Sequence, residues 1–171
     1  VDIAVAIGRK DLYSPLAEAA RDMVLGEFLQ NRHAGEEGMN AGIYTDIIEK
    51  KTGTFMGACC RLGASFAGLP ADECEELRLF GLELGCAFQI IDDTFDFSGT
   101  DAVTGKDSGN DFFTGKVTLP VIYALESAPA GTRDDILRLF ASPTAEGLEI
   151  LSAFVKNTGA LERCVVRAGE I

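Results

Sequence analysis

The chain predicts an all-α fold. Apolar residues recur at three- and four-residue steps in several separate segments, and glycines and prolines fall between those segments. No stretch alternates apolar and polar residues in the way a half-buried strand does.

The elements follow in chain order. Residues 11–30 form a first amphipathic helix, with Leu12, Leu16, Ala19, Met23 and Phe28 on one stripe. Residues 43–66 read as a second helical segment, striped by Ile47, Ile48, Phe55, Met56, Cys59 and Leu62. Gly53, Gly57, Gly63 and Gly68 punctuate it. Glycine inside a helix costs roughly 1 kcal/mol against alanine, so their number points to close helix packing or to a ligand lying on the backbone. Residues 73–97 read as one long helix with a buried stripe of Leu77, Phe80, Leu84, Phe88, Ile91 and Phe95. Asp72, after Pro70, is its expected N-cap. About 25 residues at 1.5 Å each make that helix about 37 Å long. Residues 99–120 have no apolar period and are rich in Gly, Asp, Ser and Thr, as loops are. Pro120 opens a helix over 121–127. Short helices over 133–140 and 144–155 are separated by Ser142 and Pro143, and Gly159 and Gly169 mark further helix ends.

Chemistry concentrates in the run FQIIDDTFDF at the end of the long helix. Asp92, Asp93 and Asp96 crowd one side of a turn, where like charges repel and call for a cation. Hard carboxylate oxygens suit Mg²⁺, which takes one or two of them and leaves other positions to water and phosphate. Gln89 shares their face, and Gly85 and Leu82 continue it as a small or apolar wall, an arrangement suited to a charged head with a hydrocarbon tail. The competing reading is a solvated acidic helix end. The next segment, GTDAVTGKDSGNDFFTGKVTLP, carries Lys106 and Lys116, each preceded by glycine. Lysine binds phosphate as a mobile point charge, and long loops often serve as binding loops or lids. Two solvated loop lysines are the plain alternative. Lys50, Lys51 and Thr52 form a further polar cluster in TDIIEKKTGTFMGACCRLGASFAG.

These motifs resemble the trans-isoprenyl diphosphate synthases. FQIIDDTFDF looks like that family's second aspartate-rich motif, GKDSGNDFFTGKVTLP like its lysine loop, and KTG at 51–53 like its lysine–threonine motif, all in the family's order. The match runs over roughly residues 27–125. The resemblance implies an all-α bundle around a deep central cavity. It implies a prenyltransferase that condenses isopentenyl diphosphate head-to-tail with an allylic diphosphate. On the same footing, Asp92, Asp93 and, more weakly, Asp96 serve Mg²⁺, while Lys51 and Lys106 bind the diphosphate. Thr52 and Gln89 lie near the developing cation, and Lys116 belongs to the closing loop. A homodimer is a further implication.

The chain departs from the family in one respect. Fifty residues precede Lys51, and they contain isolated acids (Asp2, Asp11, Asp22, Asp46) but no first aspartate-rich motif and no following arginine pair. The expectation is a single partial domain over residues 1–171, the C-terminal part of a synthase fold incomplete on its N-terminal side. A natural short subunit that completes its site with a partner is the second reading. In both, the chain alone is expected to be inactive. A class I terpene cyclase and a non-catalytic subunit are the competing functions. The KTG motif and the two loop lysines favour the synthase, and the intact acids argue against a decayed site.

Composition narrows the classes further. A net charge of −12 with no basic patch argues against nucleic acid as partner. No apolar run is long enough to span a membrane, and 47% apolar residues support a real core. Cys59, Cys60, Cys74, Cys86 and Cys164 lack zinc spacing and fit reduced, mostly buried thiols in a cytoplasmic setting. His33, the single histidine, lies in a polar stretch and is expected at the surface.

Overall fold

The computed structural model describes residues 5–34, 38–97 and 109–171. Among these residues all regular structure is helical. A 3₁₀ turn at Lys10–Leu12 leads into α1 (Tyr13–Arg32). There follow α2 (Ala41–Ile48), a π-helical turn (Glu49–Gly53), α3 (Thr54–Phe66), the long α4 (Ala71–Phe95) and a one-turn α5 (Asn110–Phe113). The order closes with α6 (Leu119–Glu126), α7 (Ala130–Ala141), α8 (Ala145–Asn157) and α9 (Ala160–Gly169).

Local chemistry sets the ends. Asn40 caps α2, its Oδ1 accepting from the amides of Gly42 (3.0 Å) and Ile43 (3.1 Å). Helix α3 closes in a left-handed glycine: Gly68 has φ +80, and the Leu69 amide returns to the Ala64 carbonyl at 3.1 Å. The first helical bond of α4 runs from the Cys74 amide to the Pro70 carbonyl at 3.0 Å. Asp72 is therefore not the cap. It sits with Glu73 in the first turn, where a carboxylate still favours the positive end of the helix. Thr144 caps α8 by accepting from the Gly147 amide at 3.0 Å, and Gly159, with φ +71, separates α8 from α9. Helix α9 lies between the two glycines expected to mark helix ends, whereas the turn α5 falls in the stretch expected to be loop, its four residues being too short for an apolar period.

The described residues divide into two compact units. The first takes the residues up to Leu29, Thr45–Cys86 and Ile171. Its helices meet through glycine. A Cβ on Gly81 would lie 2.7 Å from the Met56 carbonyl oxygen, and one on Gly57 would lie 2.8 Å from that of Arg78. Neither leaves room for a side chain, so α3 and α4 cross nearly backbone to backbone. Gly85 likewise lies against the Gly53 backbone, and Leu82 lies beside Gly53 and Gly57. The core around them holds Leu12, Ala19, Ile47, Ile48, Ala58, Ala64 and Cys74.

The second unit takes Gln30–Tyr44 and Ala87–Glu170. Its centre is α6, buried from Leu119 through Leu125, which explains why that segment reads as continuously apolar. Helices α8 and α9 pack on α6 through Leu151, Val155, Ala160 and Cys164, all essentially without exposure. Phe112 of α5 meets Phe140 of α7 edge to face at 5.1 Å between centroids. Arg133 donates to the Leu125 carbonyl at 3.0 Å and so satisfies the end of α6. Arg163 pairs with Glu126 at 2.7 Å and lies over the Tyr123 ring at 3.7 Å.

The apolar stripe expected to be buried on α4 is at the surface. Leu77, Phe80, Leu84, Phe88 and Phe95 are 37% to 57% exposed. The buried side of α4 is instead formed by Cys74, Gly81, Gly85, Cys86, Ile90 and Asp93. Met23 and Phe28 of α1, and Phe55 and Cys59 of α3, are likewise exposed. Among the described residues no helix is long and apolar enough to cross a membrane. The five cysteines are thiols: Cys74, Cys86 and Cys164 are buried, Cys60 is half-buried and Cys59 is exposed.

Candidate functional site

At about 100° per residue, Asp92 and Asp96 lie about 40° apart around α4 and Asp93 lies at the far edge of their arc. That edge faces inward. Asp92 and Asp96 are half-buried, whereas Asp93 is 5% exposed. Its Oδ2 accepts from the Tyr44 hydroxyl at 2.7 Å, and its Oδ1 accepts from the Gln89 amide nitrogen at 2.8 Å. The three acids thus do not share one open face. Asp96 Oδ2 accepts from the Asp111 amide at 2.9 Å, which ties the end of α4 to the start of α5.

Burial pushes the Asp93 carboxyl up to about 7, because ionising it inside the protein forfeits hydration. The hydrogen bond from Tyr44 opposes that rise, the charge of Asp111 adds to it, Gln89 opposes it and Asp92 adds to it. Tyr44 is raised well above an ordinary tyrosine, first by burial and then by the charge of Asp93. Cys164 of α9, pushed up to about 12 by burial and by Asp93, belongs to the same buried neighbourhood.

The lysine–threonine motif lies in the first unit, on the π-helical turn Glu49–Gly53. One extra residue in the turn re-aims the side chains that follow, and such turns recur at functional positions. Lys51 Nζ pairs with Glu27 Oε2 at 2.9 Å, both groups being partly exposed. The pairing is close because α1 presents Gly26 to the motif: a Cβ there would lie 2.6 Å from the Lys51 amide nitrogen. Thr52 is half-buried, with its carbonyl oxygen against Gly85. Burial pushes the nearby Cys86 thiol up to about 11.

Of the loop lysines, Lys116 is half-buried and its amide donates to the Asp111 carbonyl at 2.8 Å. Lys106, Asp101 and Asp107 lie outside the described residues. Gln89 and Asp93 are thus brought together as their spacing allows. Tyr44, Glu27 and Cys164 were missed. Tyr44 left one clue, a phenol in register with Ile47 and Ile48, since a buried tyrosine usually finds a hydrogen-bond partner.

The family model described as polyprenyl synthetase matches residues 2–156. The chain belongs to the polyprenyl synthetase family. An all-trans-nonaprenyl-diphosphate synthase (geranyl-diphosphate specific) of Rhodobacter capsulatus is 34% identical over 99% of this chain and 52% of its own length. Component 2 of the heptaprenyl diphosphate synthase of Geobacillus stearothermophilus is 34% identical over 92% of this chain and 48% of its own. A polyprenyl synthase of Caulobacter crescentus CB15, crystallised with calcium and isoprenyl diphosphate, superposes with a TM-score of 0.92 at 30% identity, covering 99% of this chain and 52% of that one. This polyprenyl synthetase family member therefore spans about half the length of the curated relatives it matches, and it has their all-helical fold.

Members of such a family raise the question of a divalent cation, and the donor set fits one. Among the described residues no three His, Cys, Asp or Glu side chains converge on a point. Mg²⁺ does not require that, since one or two carboxylates suffice when waters and phosphate complete its shell. Asp92 and Asp96, half-buried and one turn apart, are such a pair. Asp93 adjoins them from the buried edge, its carboxyl raised chiefly by burial.

Proposed function

We propose that this chain contributes one half of the active site of a Mg²⁺-dependent trans-prenyltransferase, which joins isopentenyl diphosphate head-to-tail to an allylic diphosphate. The observation that carries the reading is the carboxylate turn of α4, with Asp92 and Asp96 half-buried and Gln89 bonded to Asp93 one turn earlier, in a member of the polyprenyl synthetase family. Asp92, Asp96 and, from the buried edge, Asp93 would hold a divalent cation, which would supply positive charge to offset that of the departing diphosphate.

The chain's own residues do the rest. Lys51 and Lys106 bind the allylic diphosphate, and Lys116 belongs to the loop that closes over it. As the allylic C–O bond breaks, the diphosphate leaves with the electron pair. The Thr52 and Gln89 dipoles stabilise the allylic cation, the double bond of isopentenyl diphosphate attacks it, and a proton is lost. Water would quench that cation, so the site has to exclude it. Glu27 holds Lys51 until a diphosphate competes for the ammonium.

The 171 residues form a single partial domain in this reading, and the facing acids come from a further segment or a second chain. A homodimer and a reducing cytoplasmic setting complete the proposal. The name of the Geobacillus relative, a component 2, supports the variant in which a separate subunit completes the site.

The test is product formation from radiolabelled isopentenyl diphosphate, geranyl diphosphate and Mg²⁺. The chain alone should give none. Adding a polypeptide that carries the first aspartate-rich motif should restore activity, and Asp92→Ala or Lys51→Ala should abolish it. Product from the chain alone overturns the half-site, and restored activity indifferent to Asp92→Ala overturns the site.

A further inference from the structure

We propose that Tyr44 is a positioning residue for the carboxylate cluster: its hydroxyl, together with the Gln89 amide, fixes the orientation from which Asp93 serves a divalent cation. The inference rests on the metal reading above and adds to it a residue from a different helix.

A phenol is not needed there for packing. Tyr44 is 2% exposed and stands in an apolar stripe with Ile47 and Ile48, where phenylalanine would fill the space without a polar atom to satisfy. Its hydroxyl goes to Asp93 Oδ2 at 2.7 Å, across 49 residues of sequence. Gln89 takes Oδ1 at 2.8 Å. The two pins come from different elements, α2 and α4, and each holds a different oxygen. Two fixed points define the plane of a carboxylate, so Asp93 cannot turn about its last torsion without breaking one bond. Each oxygen keeps a second lone pair for another partner. With Tyr44 replaced by phenylalanine, only the Gln89 pin remains, which sits on the same helix as Asp93 and moves with it. Partners that orient metal-side ligands typically contribute 10–100-fold in metal affinity.

The test is a double-mutant cycle on Mn²⁺ affinity, read from the free-ion signal in electron paramagnetic resonance. It uses the purified chain as wild type, Tyr44→Phe, Asp93→Asn and the double variant, with circular dichroism confirming the fold. Tyr44→Phe is expected to weaken Mn²⁺ about tenfold, and to have no effect once Asp93 is Asn. Gln89→Met removes the other pin and must show the same dependence on Asp93, which keeps the idea open to refutation if Tyr44→Phe does not fold. An unchanged affinity in Tyr44→Phe sinks the proposal, and so does an equal loss in the Asp93→Asn background, which would mark a general packing defect. A wild-type chain that binds no Mn²⁺ even with inorganic diphosphate present overturns the metal reading itself. Binding that Asp92→Asn abolishes but Tyr44→Phe leaves alone overturns only the role of Tyr44.

Discussion

Gly85 of α4 meets Gly53 of the lysine–threonine turn at backbone distance: a Cβ built on Gly85 would lie 2.9 Å from the Gly53 Cα and 3.1 Å from the Thr52 carbonyl oxygen. The seat of the motif thus depends on two absent side chains. Gly85→Ala has to push rigid backbone and should lower stability by about 1–3 kcal/mol in urea unfolding. Gly63, inside α3 with open space where its Cβ would be, is the control. Gly63→Ala should raise stability by about 0.5–1 kcal/mol. Equal effects at both positions would remove the packing argument.

The Lys51–Glu27 pair joins two partly exposed groups at 2.9 Å. Pairs of this kind contribute up to about 1 kcal/mol at most. Glu27→Gln should therefore change unfolding stability by less than about 1 kcal/mol. It should nevertheless raise the acetylation rate of Lys51 relative to Lys50, read by mass spectrometry, because the ammonium loses the carboxylate that shields it. An unchanged Lys51 rate would show that the pair does not persist in solution.

The Asp93 carboxyl, pushed up to about 7 by burial, makes stability depend on pH. The unfolded chain ionises this group near 3.9, so between about 4 and 7 the folded state holds the extra proton. Its contribution is fully present below about 4 and is lost as pH rises through about 7. Asp93→Asn removes that loss. The Asn carbonyl can still accept from Tyr44, and the Gln89 amide can turn over to accept in its place. The melting temperature of Asp93→Asn should therefore gain on wild type between pH 5 and pH 8. A constant difference across that range would show that Asp93 is not the group responsible, as against its neighbours Asp92, Asp111, Tyr44 and Cys164.

The exposed stripe on α4 includes Phe80 at 57% and Phe88 at 54% exposure. Contiguous apolar surface of this kind attracts hydrophobic dyes and other chains. Phe80→Gln with Phe88→Gln should reduce dye binding and concentration-dependent association in light scattering. It should leave unfolding stability within about 1 kcal/mol, because little buried area is lost. A large loss of stability would mean these rings are buried in solution.

The carboxylate cluster was readable as a pattern. Gln89, Asp92 and Asp93 occupy the long helix and Asp96 the turn that follows it, so the helical repeat places Gln89 and Asp93 within reach of one another, but it did not show that Asp93 turns away from the other two acids. The lysine–threonine motif was readable as a pattern, but its π-helical turn was not, since no residue type signals an extra residue in a turn. Glu27 was hidden for another reason: an acid after a glycine in a surface helix is common, and nothing local says that Lys51 stands opposite.

The sequence by itself determined most of the helices and the order of the motifs, and the resemblance of those motifs to known ones supplied the family. The helices rest on periodicity, capping residues and short-range spacing, which act within one element. Only the tertiary structure decided which side of α4 is buried. Apolar period assigns angles around a helix but does not say which face the neighbours cover, and here the glycine face won over the stripe of Leu77, Phe80, Leu84 and Phe88. Tertiary structure also decided that Asp93 turns inward to Tyr44 while Asp92 and Asp96 do not. A buried carboxylate needs donors, and the hydroxyl that supplies one comes from a helix distant in sequence.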